Sequence, residues 1–484
     1  MVSVGRTTVS LAQFGRPVTG QDTTAAWRAA LQAGADRLLI PPGRWYIRDW
    51  TRLPPARGRR LVGAPGAVVV AGRVPTAEGG GQWVDCTFEG LTFDGAVAQG
   101  FAWFGRSSAG LVFQACTVVN GRTSFVNGSG GPVVIDGCLF TQTTAPPDRL
   151  DMSVANVHGP LRVQHSVWDF APRSPAGVLV QVYATPAPGP VTITDNIFLG
   201  GRWGGVVDGA IDIEPHGAPG GPVLIARNRI TDGSVYLAGV SHALLVDNSL
   251  RFTPRAYTRP HAPPIAGYTS ASPKPPAGTL VVTGNTLVCD PGPTAAPLWP
   301  MTWHGGGAVR TLVLRDNRIQ VNGVGLAGAP AAVAWFDPSV TPGWGPLVVT
   351  GNTVTVAGPV AARVPLLRIT VGAGRRLALA RITANQWAVP GTAGVAVTRR
   401  AGAPPGSLGR LVLADNTTAV AMPLATADPD TVIAWTAGPN PGFLPPEGLP
   451  APTAAVPDWA WAAGLGVLAA AGAGLWWARH RASA

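Results

Sequence analysis

The chain has 484 residues, of which 63 are glycine and 48 are proline, and only 13% of its residues are charged. This composition favours many short turns over long helices. The formal net charge is +11, but the arginines are scattered and no aromatic residues alternate with them, so we expect no nucleic-acid partner. No zinc-ligand spacing, P-loop, dinucleotide fingerprint or nucleophile elbow occurs, so we also expect no metal and no cofactor.

Residues 1–60 are predicted to form a cap that contains one helix and two short strands. Asp22 or Thr23 is suited to begin the helix, and Gly34 is suited to end it. The apolar face of this helix consists of Ala26, Trp27, Ala30 and Leu31. The two predicted strands, Leu38–Ile40 and Trp45–Ile47, lie on either side of the turn Pro41-Pro42-Gly43.

Residues 61–436 repeat one short pattern. Eight times an aliphatic run ends in an asparagine, and these asparagines lie 20 to 37 residues apart. Each run alternates apolar and polar residues, as a strand with one buried face does. One strand-like run per period of this length is typical of a solenoid built from stacked coils. The asparagines are Asn196, Asn228, Asn248, Asn285, Asn317, Asn352, Asn385 and Asn416.

We expect these asparagines to occupy the same turn in every coil of a parallel β-helix. Stacked parallel strands lie about 4.8 Å apart, which brings each side-chain amide within reach of the amides above and below it. Cys86, Cys116 and Cys138 end earlier strands in the same way, and His165 continues their column. The pattern therefore predicts a buried stack of thiols followed by a ladder of asparagines.

Three features of the amino-terminal segment match a known family. They are Phe14-Gly15, the helix start at Thr23-Thr24, and the run Ile40-Pro41-Pro42-Gly43 followed by Trp45-Tyr46. In these features the segment resembles the pectate-lyase-like superfamily, in the branch that includes phage tailspikes and related polysaccharide-processing proteins. The resemblance implies an all-β fold, a single-stranded right-handed parallel β-helix, without specifying an activity. The open end of such a solenoid exposes strand edges and core, which explains the need for a cap.

Two proline-rich segments are predicted to lie outside the coils. The first, 253–278, is predicted to leave the barrel as a long loop. The second, 437–458, is predicted to be a stiff, extended linker.

The segment after this linker is predicted to cross a membrane. Residues 459–477 form an uncharged run with two tryptophans at each end. As a helix this run would be about 28 Å long, close to the thickness of the hydrocarbon core of a bilayer. We therefore predict a transmembrane helix over 459–478 and a basic tail over 479–484.

The predicted location follows from the two termini. The basic tail favours a cytoplasmic carboxyl end, which places the β-helix outside the cytoplasm. The first residues show no charged start followed by an apolar core, so no signal peptide is recognised. A misassigned start, an unconventional export route and a virion component released by lysis all fit these observations. We therefore expect a single-pass membrane protein, with a virion location as the alternative.

The sequence Ile-Asp-Ile-Glu-Pro places two carboxylates on one predicted strand. Ile211 and Ile213 are expected to point inward, so Asp212 and Glu214 should point outward from the same face. Their Cα atoms would lie about 6.6 Å apart, and this separation suits either class of two-carboxylate glycosidase. Two like charges this close raise one pKa, so one carboxyl group can serve as acid and the other as base. Asp212 and Glu214 are the candidate catalytic residues.

A strip of sugar-binding side chains is predicted beside these carboxylates. Glu214 lies eighteen residues after its ladder asparagine, and the same offset selects aromatic and amide residues in other coils. Sugar rings stack on aromatic faces, and their hydroxyls bond to amides and carboxylates. The aromatic members are predicted to be sugar platforms and the amide members to bind hydroxyls. The predicted substrate-binding residues are Asn156, Tyr183, Trp303 and Trp335, which the offset selects, and the neighbouring amide Gln181.

Two functions fit these observations. In the first, a surface-displayed β-helix binds a polysaccharide and, if it is an enzyme, hydrolyses it through its paired carboxylates; a lyase fits less well. In the second, the chain is a non-enzymatic structural or adhesive protein, either a tailspike-like virion component or a membrane-tethered envelope protein. The candidate partners are a polysaccharide, a membrane and, in a homotrimer, further copies of the chain. The sequence leaves the substrate and the oligomeric state open.

The membrane anchor is tested by truncation. Full-length protein should sediment with membranes, because the run 459–477 is long and apolar enough to remain in a bilayer. Protein truncated after Val456 should stay in the supernatant and keep the circular dichroism of the β-helix. Full-length protein that is soluble without detergent or lipid would contradict the prediction.

Overall fold

The computed structural model describes most of the chain up to residue 453. The described residues are 7–75, 82–99, 102–120, 124–141, 152–169, 180–182, 189–199, 210–215, 220–252, 265–267, 277–290, 301–304, 309–322, 334–337, 345–357, 365–372, 377–388, 393–400, 402–450 and 452–453. Within them the chain forms a parallel β-helix, as the repeats predict. From Ala102 onwards each coil contributes one strand to each of three parallel sheets in turn, so strands that are adjacent in a sheet belong to successive coils. The first coils form sheets 1 and 2, and residues 56–63 and 83–89 each contribute two short strands to sheet 1.

The three sheets account for the described strands. Sheet 1 contains Thr8–Ser10, Arg37–Ile40, Ala56–Arg57, Arg60–Gly63, Trp83–Val84, Thr87–Glu89, Ala109–Gln114, Gly130–Asp136, Leu161–Gln164, Val191–Thr194, Val223–Ala226, His242–Val246, Ala277–Thr283, Val309–Arg315, Leu347–Thr350, Leu377–Thr383, Leu408–Ala414 and Val432–Ala437. Sheet 2 contains Gly43–Ile47, Ala67–Ala71, Thr92–Asp94, Thr117–Val119, Leu139–Thr141, Val167–Asp169, Ile197–Leu199, Arg229–Thr231, Ser249–Phe252, Thr286–Cys289, Arg318–Asn322, Thr353–Ala357, Gln386–Ala388 and Thr417–Thr418. Sheet 3 contains Ala102–Phe104, Ser124–Asn127, Met152–Ala155, Val180–Val182, Ile211–Ile213, Val235–Leu237, Ile265–Gly267, Met301–His304, Ala334–Asp337, Leu367–Val371, Val395–Arg399 and Ala425–Ala427.

The core lies inside the coils and is built from one face of every sheet. Side chains alternate along each strand, so every second residue points inward and stacks on its equivalents in neighbouring coils. In sheet 2, for example, Phe140, Trp168 and Phe198 lie in one inward column with ring centroids 4.7 and 4.8 Å apart. The aliphatic and aromatic inward columns form one continuous cluster. The sequence alternation thus becomes a single long core.

The asparagine ladder is confirmed. Each of the eight predicted asparagines is buried, and its Nδ2 donates to the Oδ1 of the asparagine in the next coil over 2.9 to 3.0 Å. The same Nδ2 donates to a backbone carbonyl of the preceding coil, as Asn317 does to Val282. The Oδ1 also accepts from the backbone N–H of the preceding asparagine, as in Asn285 to Asn317. The ladder therefore joins coils through both side chain and backbone.

The turn that carries the ladder has a fixed backbone shape. The residue before each of these asparagines has a φ of 54° to 66°, in the left-handed region. Glycine, asparagine and aspartate adopt this conformation most readily, and aspartate or glycine fills most of these positions. One left-handed residue bends the chain from sheet 1 into sheet 2 and directs the asparagine side chain along the axis.

Of the four residues that were predicted to precede the asparagines in the column, two occupy the ladder position and two do not. Cys116 and Cys138 occupy the ladder position. Leu139, the residue after Cys138, donates its N–H to the Cys116 carbonyl, and the residue after each ladder asparagine makes the same bond to the preceding coil. The next position belongs to Ser166 rather than His165, because Ser166 N–H donates to Asn196 Oδ1. His165 is the left-handed residue that precedes it and is exposed.

Cys86 also lies outside the column. The Cys86 carbonyl accepts from Val112 N–H, which shows that Cys86 lies before the sheet 1 strand of its coil. The Leu91 carbonyl accepts from Thr117 N–H, which shows that Leu91 holds the ladder position. The thiol stack therefore has two members. A hydrogen bond with Cys138, followed by burial, raises the pKa of the Cys116 thiol well above its ordinary value.

The amino-terminal segment has the predicted elements. A helix, α1, covers Thr24–Gln32, and a capping turn of 3-10 helix covers Leu11–Gln13. The apolar face of α1 is buried as expected, and the Trp27 ring lies 6.4 Å from that of Trp50, in a second 3-10 turn, Trp50–Arg52. The strands of this segment pair directly with those of the first coils, so sheets 1 and 2 begin within residues 1–60.

The structure corrects both proline-rich segments. The predicted loop 253–278 contains the strand Ile265–Gly267 of sheet 3, and the next sheet 1 strand already begins at Ala277. Part of the predicted linker 437–458 packs on the last coil instead of extending away from it. Asn440 adds a further rung to the ladder by accepting from Asn416, and the Phe443 ring lies 5.4 Å from that of Trp387.

The predicted transmembrane helix, 459–478, and the tail, 479–484, lie outside the described residues. No helix within the part of the chain that the structure describes is long and apolar enough to cross a membrane.

Replacing Asn317 with alanine tests the ladder. The change removes the donor to Asn352 and Val282 and the acceptor of Asn285, and it should lower the free energy of unfolding by about 1–3 kcal/mol, because buried polar groups lose their partners. Urea denaturation and hydrogen exchange of the adjoining coils measure this loss. Arg318→Ala, an exposed neighbour, is the control. Equal stability of the two variants would contradict a structural role for the ladder.

Candidate functional site

Sheet 3 carries a row of polar and aromatic positions on its outer face. In several strands the row residue lies between two core residues, as Asp212 lies between Ile211 and Ile213, so alternation directs it away from the interior. The strand register places these residues side by side across successive coils. The outer row is formed by Asn127, Ala155, Gln181, Asp212, Tyr236, Ala266, Thr302, Trp335, Arg368, Ala396 and Thr426.

Both candidate catalytic carboxylates lie on this part of sheet 3 and are shielded from solvent. Asp212 is in the outer row and is 1% exposed, and Glu214, which follows the end of the strand, is 5% exposed. Ile211 and Ile213 are buried in the core as predicted. The two acids are therefore close in the chain but recessed, where the sequence led us to expect an open face.

The predicted role of Trp303 as a sugar platform is wrong. Gly267 and Phe336 are its partners in the strand register, which puts it in the inward column beside the outer row. It is 1% exposed, and its ring lies 6.1 Å from that of Phe336 at an interplanar angle of 14°. The offset of eighteen residues from the ladder fails here because the segments between sheets 2 and 3 differ in length from coil to coil. Trp303 is a core residue and not a sugar platform.

The remaining predicted binding residues divide into three groups. Gln181 and Trp335 lie in the outer row, on either side of Asp212 along the axis. Asn156 lies one residue beyond the row, with a φ of 51°, and its Nδ2 donates to Asn127 Oδ1 over 3.4 Å. Tyr183 lies outside the described residues.

Five polar or aromatic members of the outer row were missed from the sequence: Asn127, Tyr236, Thr302, Arg368 and Thr426. A signal for all of them except Asn127 exists, because each of the others stands between two apolar residues in its strand. Examples are Val235-Tyr236-Leu237 and Leu367-Arg368-Ile369. Tyr236 and Thr302 are buried like Asp212, whereas Arg368 is only partly buried. The row is therefore recessed at Asp212, Tyr236 and Thr302 and partly exposed at Arg368.

A second row runs alongside the outer row, at the carboxyl ends of the sheet 3 strands. The register pairs His304 with Asp337, one position after Trp303 and Phe336. Counting from Ile213, Glu214 occupies the same level in its own coil. Further along, Thr370 pairs with Thr398, and their hydroxyl oxygens lie 3.0 Å apart.

The arrangement combines chemical groups that suit an extended, hydroxyl-rich ligand. Amide, carboxylate, aromatic, hydroxyl and guanidinium positions lie along the row, with alanines at Ala155, Ala266 and Ala396, and neighbouring strands are about 4.8 Å apart. Sugars offer apolar ring faces to aromatic side chains and hydroxyls to polar ones. The charges of the row are separated, with Asp212 five strands away from Arg368. Among the described residues, no group of three or more histidine, cysteine, aspartate or glutamate side chains could hold a metal ion.

Comparisons with known proteins match this chain in structure but not in sequence. No family model matches the sequence, and no curated protein matches it. The surface adhesin PfbA of Streptococcus pneumoniae is similar over 92% of this chain and 93% of its own, with 12% identity and a TM-score of 0.43. A tailspike protein of E. coli bacteriophage HK620 is similar over 90% of this chain and 78% of its own, with 13% identity and a TM-score of 0.42. The same tailspike in complex with a pentasaccharide gives a TM-score of 0.39.

Two matched tryptophan substitutions test the assignment of the rows. Trp303→Ala should lower the free energy of unfolding by about 3–5 kcal/mol, because it leaves a cavity in the core. Trp335→Ala, in the adjacent outer row, should cost clearly less. Chemical denaturation of both variants measures the difference. A larger loss for Trp335→Ala than for Trp303→Ala would show that the two rows are exchanged.

Proposed function

We propose that this protein binds an extended polysaccharide along the outer row of sheet 3. The observation that carries the proposal is the register itself, which aligns Gln181, Asp212, Tyr236, Thr302 and Trp335 on one face across successive coils. A repeating polymer presents similar groups at regular intervals, and a solenoid offers equally regular contacts. Aromatic side chains can stack on sugar rings, and polar side chains can bond to sugar hydroxyls.

Hydrolysis by Asp212 and Glu214 is the more specific part of the proposal. A glycosidase needs one protonated and one ionised carboxyl group at the bond that it cleaves. Asp212 and Glu214 lie two residues apart at the end of one sheet 3 strand, Ile211–Ile213, and this spacing suggests them as the pair. Glu214 would then belong to the row that also contains the backbone positions of His304 and Asp337.

A non-enzymatic adhesive or structural protein is the second candidate function. The observation that favours it is the low exposure of the candidate acids, 1% for Asp212 and 5% for Glu214. Carboxyl groups that a sugar cannot reach would only shape the outer face, while the partly exposed part of the row at Arg368 would bind the polymer. Both functions share the same binding row and differ only in whether a bond is broken.

The two ends of the chain have proposed roles under either function. We place α1 as the cap of the first coils, since its buried face packs on their core. The run 459–478 would hold the β-helix at a membrane, and the alternatives of a virion component and a homotrimer remain compatible with the same binding row.

Carboxyl-to-amide substitutions separate the two functions. Asp212→Asn or Glu214→Gln should lower the rate of chain cleavage by at least about a hundredfold, because one acid–base group usually contributes that much. Asp316→Asn, at an exposed turn, is the control and should leave the rate unchanged. Acidic and neutral bacterial polysaccharides are screened for new reducing ends, and binding is measured by calorimetry.

The affinity for polysaccharide tests the role of Trp335 and the proposed function as a whole. Trp335→Ala should weaken binding without changing the cleavage rate of bound polymer, since an aromatic platform acts on affinity. If wild type and Asp212→Asn/Glu214→Gln bind a polysaccharide equally and neither shortens it, hydrolysis is wrong and the adhesive function stands. If wild type binds no polysaccharide in the screen, the proposed function fails as a whole.

A further inference from the structure

Residues 438–453 form a final, irregular turn of the solenoid. Asn440 adds a rung to the ladder, and Leu444 exchanges two backbone hydrogen bonds with the residues that lead into the last strand of sheet 3. At the end of this segment, Thr453 donates both its N–H and its hydroxyl to the Trp435 carbonyl in the last strand of sheet 1. The segment is thus held at three points around the barrel and belongs to the solenoid as far as Thr453.

This final turn gives the carboxyl-terminal end of the solenoid a nearly uncharged, apolar surface. Glu447 is the only charged residue among 438–453, whereas six of these residues are proline. Leu444 is 49% exposed, and two aliphatic side chains of the last coil, Val420 and Ile433, are 37% and 53% exposed. Exposed apolar side chains that are concentrated in one place usually mark a binding surface. We refer to 438–453 together with Val420 and Ile433 as the end surface.

The end surface is close in the chain to the run that is predicted to cross a membrane. Only residues 454–458 separate Thr453 from that run, which begins at residue 459. Five residues span at most about 17 Å, even when they are fully extended. The headgroup layer on each side of the hydrocarbon core is about 5–8 Å thick. In an anchored chain, Thr453 therefore lies within roughly 10 Å of the headgroup surface.

Charged side chains make parts of the sides of the solenoid less suited to a lipid surface. Arg227 and Asp195 form an ion pair at a turn between sheets 1 and 2, and the exposed Arg162 lies on the outer face of sheet 1. Removing such charges from water costs free energy, whereas removing Leu444 and Ile433 from water is favourable. The end surface therefore suits a lipid interface better than these faces do.

We propose that the end surface rests on the bilayer that holds residues 459–478, so that the solenoid stands end-on and its binding row extends away from the membrane. The inference rests on the anchor proposed for 459–478, and it adds a lipid partner and an orientation to the proposed function. The outer row then extends from Thr426, next to the lipid, to Asp212, seven strands higher and about 34 Å away at the usual spacing of strands. An extended polymer reaches such a row from the aqueous side.

Fluorescence quenching at single positions tests this orientation. Full-length protein is reconstituted into nanodiscs of phosphatidylcholine that contain a lipid with a nitroxide on its headgroup, and a maleimide dye is attached to one introduced cysteine. The four native cysteines are buried, so the dye should react with the introduced thiol. Protein without an introduced cysteine is the blank.

One dye position reports on the end surface, and three report on the sides. Leu444→Cys places the dye on the end surface. Arg162→Cys on sheet 1, Leu139→Cys on sheet 2 and Arg106→Cys beside the first strand of sheet 3 place it around the early coils. An end-on solenoid should show quenching at position 444 and none at the other three, because those three stand about 40 Å or more above the last coil.

Matched aspartate variants identify the contact. With the dye at Val420→Cys, the double variant Ile433→Asp/Leu444→Asp should lose most of the quenching, because charged groups resist transfer from water to an apolar environment. Leu139→Asp/Ile197→Asp makes the same change at two exposed positions on the outer face of sheet 2 and should leave the quenching unchanged. Circular dichroism checks that both variants are folded.

Quenching at position 444 alone, removed only by the aspartates of the end surface, supports the proposal. Quenching at any of the three side positions shows a solenoid that lies on its side, and no quenching at any position shows one that is held away from the bilayer. Either result, or quenching that the end-surface aspartates leave unchanged, overturns the contact and leaves the anchor intact. Protein that does not enter the nanodiscs overturns the anchor and this inference together, and the polysaccharide screen then decides the proposed binding function separately.

Discussion

The hydrogen-bonded column of asparagines is the interaction on which the rest of the structure depends. Each side-chain amide binds the next coil on one side and the backbone of the preceding coil on the other, and all eight predicted members are buried. In a buried environment an amide without these partners would cost about 1–3 kcal/mol, so every coil must return to the same height and orientation. The column therefore fixes the register of sheets 1 and 2, whatever the length of the segment that follows.

This fixed register explains how the chain tolerates irregular insertions. The asparagines are 20 to 37 residues apart, yet the strands of their coils pair in register in all three sheets. Extra residues are accommodated between strands, because loop closure becomes only slowly more costly with length. As a result, sheet 3 keeps continuous rows even where the connecting segments differ. A solenoid of this kind separates the stability of its core from the chemistry on its outer face.

The candidate site shows why counting along the sequence succeeded only in part. The offset of eighteen residues from the ladder assumes that the segment from sheet 2 to sheet 3 has the same length in every coil. Because this length differs, the offset predicted a place for Trp303 that is one register position away from the observed one. The alternation within each sheet 3 strand is independent of that path. In Ile211-Asp212-Ile213 and Leu367-Arg368-Ile369 it correctly separates the outer residue from its two core neighbours. Short-range patterns were reliable here because they depend on strand geometry alone.

The sequence by itself determined the parallel β-helix, the ladder from Asn196 to Asn416 and the helix after Thr23, since each follows from local periodicity or turn chemistry. Tertiary structure decided which residues share a row, which carboxylates are shielded, and that Asn440 and Phe443 pack on the last coil instead of leaving it. It also decided that Leu91 and Ser166, and not Cys86 and His165, stand in the column. The physical reason is that burial and stacking depend on contacts between coils, which residues far apart in the chain make only after the coils have closed.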